Sequence, residues 1–499
     1  MVGAPQRGLT VRLSRWATPV VILAAAALCL ALNFPGHFSY DSVVQLSEGR
    51  TGLYSGQHPP VMSWLLGIAD RLTAGAWAFV VLDVALIYGS LSSLTKLGRP
   101  GWPVAVFAAA ASALPQLLIY PAIVWKDVLF AGALLAGYAC LARAAADWRR
   151  RPARRWAWLV GALVLLILAA LARQNGLVAL PVAALTIAWI AAREGDRTWR
   201  AGAFGLGFLI VASAGAVAAS AALATRLDRT DAISQSWQAL ELGDLVAAKV
   251  RDPGLDLAVF RAEAPMLAAE VRSGVSAYSP VRLDTLEPAF AALGDDDSQA
   301  PVIARQWREL ILRHPWLYLQ VRASAFRWVL TTPRPDACGL IETGVEGPSE
   351  EMALSGLRPR QTWRDDVLGD YALGFSGTPA FSHVAYGLAA AATLAWLLHR
   401  RRPSDLAVAG LLASAFAFAG SFAVISIACD YRYLYALDIA AIAAALYLAS
   451  SVRPAAGPSS PAKRESRSED AYSQHGPDLR LRGGSTWPAN ATVKSKALP

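Results

Sequence analysis

The chain has 499 residues, of which 55% are hydrophobic and 17% charged, and a formal net charge of +9. A composition this apolar excludes an ordinary soluble domain, since several apolar runs reach the roughly 20 residues that a helix needs to cross a bilayer. The arginines cluster between those runs, which fits the positive-inside rule and not nucleic-acid binding. Ala and Arg are abundant and Lys scarce, a bias that fits a GC-rich bacterial genome.

Taken in order, Arg7, Arg12 and Arg15 precede an apolar run at 16–35 and place the N-terminus in the cytoplasm. No small-x-small cleavage site follows that run, and Leu28 precedes Cys29, so the run reads as an uncleaved first span. It leads out to a first extracytoplasmic loop at 36–75, in which 61–72 reads as an amphipathic interface helix. Spans two to four are predicted near 76–95, 102–120 and 128–146. The last returns to the basic loop Arg149, Arg150, Arg151, Arg154 and Arg155, the firmest cytoplasmic marker in the chain. Spans five to seven follow near 157–172, 177–192 and 201–224. The seventh is rich in Ala, Gly and Ser, which permit close helix packing.

Composition then turns mixed and polar, and 226–382 reads as an extracytoplasmic loop or domain. Spans eight to ten are placed near 383–398, 405–427 and 434–451, with His399 to Arg402 between the first two on the inner side. The predicted architecture is thus an all-α polytopic membrane protein with about ten spans and both termini inside. An N-terminal transmembrane core occupies 1–225, the outer segment 226–382, and the C-terminal spans 383–452. The tail at 453–499, rich in Pro, Ser and charge, reads as disordered and cytoplasmic. The four cysteines have no metal-binding spacing. Cys29 and Cys140 fall in spans; Cys338 and Cys429 fall outside, where a disulfide between them is open, and with nothing in the sequence to bring them together free thiols are the expectation.

This topology gathers four polar groups on the outer face: Asp41 with His58, Lys126 with Asp127, Arg173 with Gln174 and Asn175, and Asp430 to Arg432. Together they supply carboxylates for proton abstraction and cations for a phosphate. Each also has a structural reading. Asp41 suits the first turn of a short helix, and Lys126 and Asp127 suit an interface anchor. Arg173-Gln174-Asn175-Gly176 suits a tight turn, and Tyr431 and Tyr433 suit an aromatic belt. His58 suits a loop fixed by Pro59-Pro60, and His314-Pro315-Trp316 reads as structural.

Tyr40-Asp41-Ser42, Gly52-Leu53-Tyr54, His58-Pro59-Pro60 and Trp64-Leu65-Leu66 follow one another over about 40 residues after the first span. In that order they resemble the first extracytoplasmic loop of the GT-C glycosyltransferases, in the protein O-mannosyltransferase and aminoarabinose transferase branch. The resemblance implies a GT-C-like fold and inverting transfer of a sugar from a polyprenyl-phosphate donor to a lipid, glycan or protein acceptor. Asp41 matches the acidic motif by position and is the implied general base, with Asp127 as the second acid. Tyr40, His58, Lys126, Arg173, Gln174, Asn175, Tyr431 and Arg432 are the implied substrate-binding set. Where many relatives carry two adjacent acids, Ser42 follows Asp41 here, and no metal or other cofactor is expected. The implied location is the bacterial inner membrane, with the site on the periplasmic side. Rival readings are a transporter or flippase of lipid-linked sugars, a noncatalytic envelope-assembly protein, and a polymerase or ligase of lipid-linked glycans. Transporters place ionisable groups near the midplane, whereas these lie at span ends.

Overall fold

The computed structural model describes residues 5–54, 58–73, 75, 77–224, 231–283, 285–286 and 297–451, and of 5–15, 224 and 231–236 the backbone alone. The tail expected at 453–499 and the side chains of Arg7, Arg12 and Arg15 lie outside them. In a bilayer core the backbone polar groups have no water to bond, so apolar runs fold as helices. α1 (Pro5–Asn33) carries the first such run. α2 (Tyr40–Thr51) and α3 (Pro60–Leu72) follow, the latter starting at a proline whose missing N–H is harmless in a first turn.

These two helices cross where their backbones touch. A Cβ on Gly67 would stand 2.2 Å from the Gly49 carbonyl oxygen, and one on Gly49 2.3 Å from that of Ser63. Beside the crossing, Ser63 Oγ donates to Glu48 Oε2 at 2.5 Å. Gly67→Val is therefore expected to wedge the pair apart and lower stability by about 1–3 kcal/mol. Thermal unfolding in detergent checks this; an unchanged midpoint would contradict the crossing.

α4 (Trp77–Thr95) and α5 (Trp102–Ser112) come next, then α6 (Pro115–Leu118), α7 (Lys126–Asp147) and α8 (Pro152–Ala172). α9 (Ala179–Arg193) and α10 (Thr198–Ala224) complete the first half. α7 lies at the centre, with α4, α8 and α19 (Pro403–Ile425) packed round it. Among the described residues, eight helices are long and apolar enough to cross a membrane, nine if one bent pair counts as a span. Two places depart from the ten expected. The third apolar run breaks after Ser112 and turns by 84° at Pro115, whose ring cannot continue the preceding helix. The eighth exists as α18 (His383–Arg400), but His383, His399 and Arg400 at its ends keep its mean hydropathy below that of a span.

Between the two halves lie α11 (Asp231–Arg251), α12 (Ala258–Glu263), α13 (Pro265–Gly274), α14 (Ala300–Arg313) and α15 (Pro315–Thr331). They bury a core of their own, with Leu245, Val246, Phe260, Leu267, Val271 and Ile303 at its centre. α16 (Ser349–Leu354) and α17 (Trp363–Leu373) behave differently. Leu340, Met352, Leu368 and Phe381 join the core of the membrane bundle, so residues 332–382 lie on its end rather than beside α11–α15. α20 (Tyr435–Ser451) closes the described chain.

The expectation of free outer thiols is corrected: Cys338 and Cys429 form a disulfide, with Cα atoms 4.9 Å apart across a sequence separation of 91. The chain before α16 doubles back to the start of α20, where the Tyr431 N–H donates to the Cys338 carbonyl at 3.0 Å. Cys29 and Cys140 are free.

Candidate active site

A small extended patch at one end of the bundle sets the geometry. The His37 N–H donates to the Ala122 carbonyl at 3.0 Å, and the Val124 N–H donates to the His37 carbonyl at 3.0 Å. Phe38 pairs in the same way with Gly344 and Glu346, and Val345 with Arg360. Gly344 has φ of 86°, and a Cβ there would meet the Arg360 carbonyl oxygen at 2.4 Å, so the position demands glycine. The patch holds the start of α2 against the start of α7. Ser42 Oγ donates to the Val124 carbonyl at 2.5 Å, and Trp125 Nε1 donates to Ser39 Oγ at 2.8 Å. Asp41 and Asp127 thereby sit in the first turns of two neighbouring helices, where the backbone dipole favours a negative charge.

Onto this frame the chain brings three cations. Arg432, just before α20, places Nη2 at 2.8 Å from Asp41 Oδ2 and 3.0 Å from Asp430 Oδ2. Its guanidinium lies 5.0 Å from the Trp125 ring centroid and 5.8 Å from that of Tyr433. Arg173, after α8, places Nη1 at 2.6 Å from Asp127 Oδ1, with Phe422 and Tyr433 packed on the guanidinium. Lys126 Nζ donates to His58 Nδ1 at 2.9 Å. Of the three, Lys126 is the one whose hydrogen bond goes to a ring nitrogen instead of a carboxylate.

The electrostatics divide the roles. Burial pushes the Asp41 carboxyl up, but Arg432 and Lys126 outweigh it and hold the group well below the usual carboxylate range. Burial and then the Lys126 charge push His58 down to about 3, so the ring is neutral at pH 7. Because Nδ1 accepts from Lys126, the proton sits on Nε2, which is 4.0 Å from Asp41 Oδ1. Glu342, in the segment tied down by the disulfide, goes the other way: burial and the neighbouring Glu346 push it up to about 7, although Arg432 pulls it down. Relative to an unfolded glutamate near 4.5, the folded chain holds an extra proton between about pH 4.5 and 7. Stability is therefore lost as pH rises through that window. Glu342→Gln is expected to abolish this loss and to be more stable than wild type above pH 7 by on the order of 2 kcal/mol. Unfolding midpoints from pH 4.5 to 8 check it, and parallel pH profiles would contradict it.

Asp41, His58, Lys126, Asp127, Arg173 and Arg432 thus come together. The other sequence-expected residues do not join these contacts. Tyr40 is 63% exposed at the start of α2, and Gln174 is exposed. Asn175 Nδ2 donates to Ser421 Oγ at 2.7 Å, tying its turn to α19. Tyr431 is fully buried; its hydroxyl donates to Asp438 Oδ2 at 2.7 Å and accepts from Gln116 Nε2 at 3.0 Å. Sequence reasoning gave no role to Trp125, the ring under Arg432, although it stands next to Lys126. Nor did it give one to Glu342, for which no local pattern exists. Among the described residues, no group of three His, Cys, Asp or Glu side chains is placed to hold a metal.

The molecule is a multi-pass membrane protein, mostly helical over the described residues, with a charged cluster at one end of its bundle. No protein-family model matches the chain, and no curated protein matches it. Similar solved structures include the archaeal oligosaccharyltransferase AglB from Archaeoglobus fulgidus, in complex with an inhibitory peptide and a dolichol-phosphate. It is 15% identical, with a TM-score of 0.38, and the match covers 87% of this chain and 50% of that one. The apo form of the Archaeoglobus fulgidus oligosaccharyltransferase is 16% identical, with a TM-score of 0.37 and the same coverage. This chain spans about half the length of those proteins, and a likeness this distant transfers neither fold nor chemistry to it.

Proposed function

We propose that this protein is a membrane glycosyltransferase that moves a sugar from a polyprenyl-phosphate donor to a lipid, glycan or protein hydroxyl. The observation that carries the reading is the Asp41–Arg432 ion pair, with Lys126 and His58 against it. It joins the acidic motif of the first loop to the start of the last span in a half-buried cluster at the bundle end. The transfer needs two things at one place: a carboxylate to take the acceptor proton and cations to receive the departing phosphate.

In the proposed step the acceptor oxygen attacks the anomeric carbon. The bond from that carbon to the phosphate oxygen breaks, and its electron pair leaves with the phosphate. The hydroxyl proton passes to Asp41. Before substrate arrives, Arg432 and Lys126 hold Asp41 ionised and weakly basic. A phosphate bonded to Lys126 draws off part of that positive charge, so donor binding raises the basicity of Asp41 just where it is needed. Arg173 holds Asp127 beside Lys126 through its 2.6 Å ion pair and acts by positioning. No metal enters this chemistry. The disulfide favours an oxidising compartment, in keeping with a site on the periplasmic face of a bacterial inner membrane.

Release of lipid phosphate from a panel of polyprenyl-phosphate sugars by the purified chain, compared with Asp41→Asn, tests the reading. The observation on the side of transport is Asp83, buried in α4 with neither carboxylate oxygen hydrogen-bonded. A transporter built on it would fail in Asp83→Asn and survive in Asp41→Asn, the reverse of what is expected here.

A further inference from the structure

α7 starts at Lys126 in the charged cluster and runs for 22 residues, so Asp147 at its other end lies roughly 33 Å away. Two turns meet there, 147–155 between α7 and α8 and 193–200 between α9 and α10. The Trp148 indole N–H of the first donates to Asp196 Oδ2 of the second at 3.2 Å. The Phe204 ring, one turn into α10, stands 6.1 Å from that of Trp148 and 6.0 Å from that of Trp156. The two turns therefore present one surface.

Eight arginines lie in these two stretches against three acids. All three acids are engaged. Asp147 accepts from the Trp158 indole at 3.3 Å, Asp196 from that of Trp148, and Glu194 faces Arg149 at 3.9 Å. Arg155 lies against the Trp148 and Trp156 rings, 5.1 and 5.0 Å from their centroids. The other six, Arg150, Arg151, Arg154, Arg193, Arg197 and Arg200, are exposed, and among the described residues none has a carboxylate partner. Arginine is not left over in this way at every turn on this end. Ser404 ties the start of α19 to α7 by donating to the Ala142 carbonyl at 3.2 Å, and beside it Arg400 Nε donates to Asp405 Oδ2 at 2.7 Å.

The depth of these arginines says what meets them. Four helices long and apolar enough to cross a membrane end or begin here, at Asp147, Pro152, Arg193 and Thr198, which sets the turns at the level of the lipid headgroups. Trp156 and Trp199, both exposed, flank them as side chains favoured at that boundary do. We infer that the two turns form a docking surface for anionic phospholipid, with the unpaired arginines on the headgroup phosphates. A guanidinium forks onto two phosphate oxygens, and a headgroup with no ammonium group brings net negative charge to a surface with five positive charges in surplus. A zwitterionic headgroup carries its own cation and gains less there. The surface lies at the opposite end from the charged cluster and takes no part in the proposed transfer.

Native mass spectrometry of the full chain, titrated in detergent with dioleoylphosphatidylglycerol or dioleoylphosphatidylcholine, tests the surface. Wild type is expected to bind the glycerol lipid about ten-fold more tightly, and the triple variant Arg150→Gln, Arg154→Gln, Arg197→Gln to bind the two within about two-fold of each other. Lysine at the same three positions is expected to keep the preference, which separates lost charge from a misfolded chain. Equal binding of the two lipids by wild type would overturn the inference. An undiminished preference in the glutamine variant would overturn it as well, because the anionic lipid would then sit elsewhere, as at the charged cluster. Displacement of the lipid by an equal concentration of glycerol phosphate would also count against it, since the ligand would then be a soluble phosphate and not a lipid.

Discussion

Asp41→Asn is expected to lower release of lipid phosphate by about 10²–10⁴-fold while leaving donor affinity within a few-fold of wild type. The asymmetry follows from the geometry. Asn keeps the size of the side chain and its place in the first turn of α2, and Arg432 retains Asp430 at 3.0 Å as a carboxylate partner. What disappears is the group that takes a proton once phosphate has neutralised Lys126. Turnover with a panel of polyprenyl-phosphate sugars measures one half of the expectation, and equilibrium binding measures the other. Equal turnover in wild type and variant would remove Asp41 from proton transfer. It would also turn attention to Glu342, which is protonated and deprotonated in similar amounts near pH 7.

Removing the Cys338–Cys429 bridge is expected to have the largest effect on stability, a loss of about 2–5 kcal/mol in the double variant Cys338→Ser, Cys429→Ser. The bond closes a loop of 91 residues in the unfolded chain, and in the folded one it pins the segment that covers the cluster. Behind the bridge, the Tyr120 hydroxyl donates to the Leu340 carbonyl, and the Gly344 N–H donates to His37 Nδ1 at 2.9 Å. Glu342 lies between those two anchors and feels both Arg432 and Asp430. Thermal unfolding with and without reductant should show a lower midpoint for reduced wild type and no reductant effect in the double variant. A wild type whose midpoint stays put after verified reduction would contradict the bridge.

Much of this fold is written in the sequence because the bilayer is a simple solvent. A long apolar run has to become a helix, and the arginine clusters between runs order them. The exceptions are local. Pro115 follows an Ala-rich run that reads as one span, and only the neighbours of Leu114 and Pro115 decide whether the chain kinks slightly or turns aside. α18 has apolar length enough, but His383 and His399 sit at its ends. The site was legible as a list of groups at span ends, since one side of a membrane has to receive them all. Their pairing was not. Asp127 takes Arg173 rather than its neighbour Lys126, and Asp41 takes Arg432 from the far end of the chain. Charge patterns along a sequence do not encode contacts made after the helices assemble. For the same reason nothing around Cys338 announced Cys429, and nothing around Glu342 announced its place.

Binding of a polyprenyl phosphate to the purified protein in nanodiscs probes the lipid-phosphate site by itself, because it requires no knowledge of the sugar or the acceptor. Saturable binding is expected, weakened by about 10–100-fold in Lys126→Gln, the loss of one charge-assisted hydrogen bond. No saturable binding to wild type, or the same affinity in wild type and Lys126→Gln, would contradict a lipid-phosphate site at this cluster.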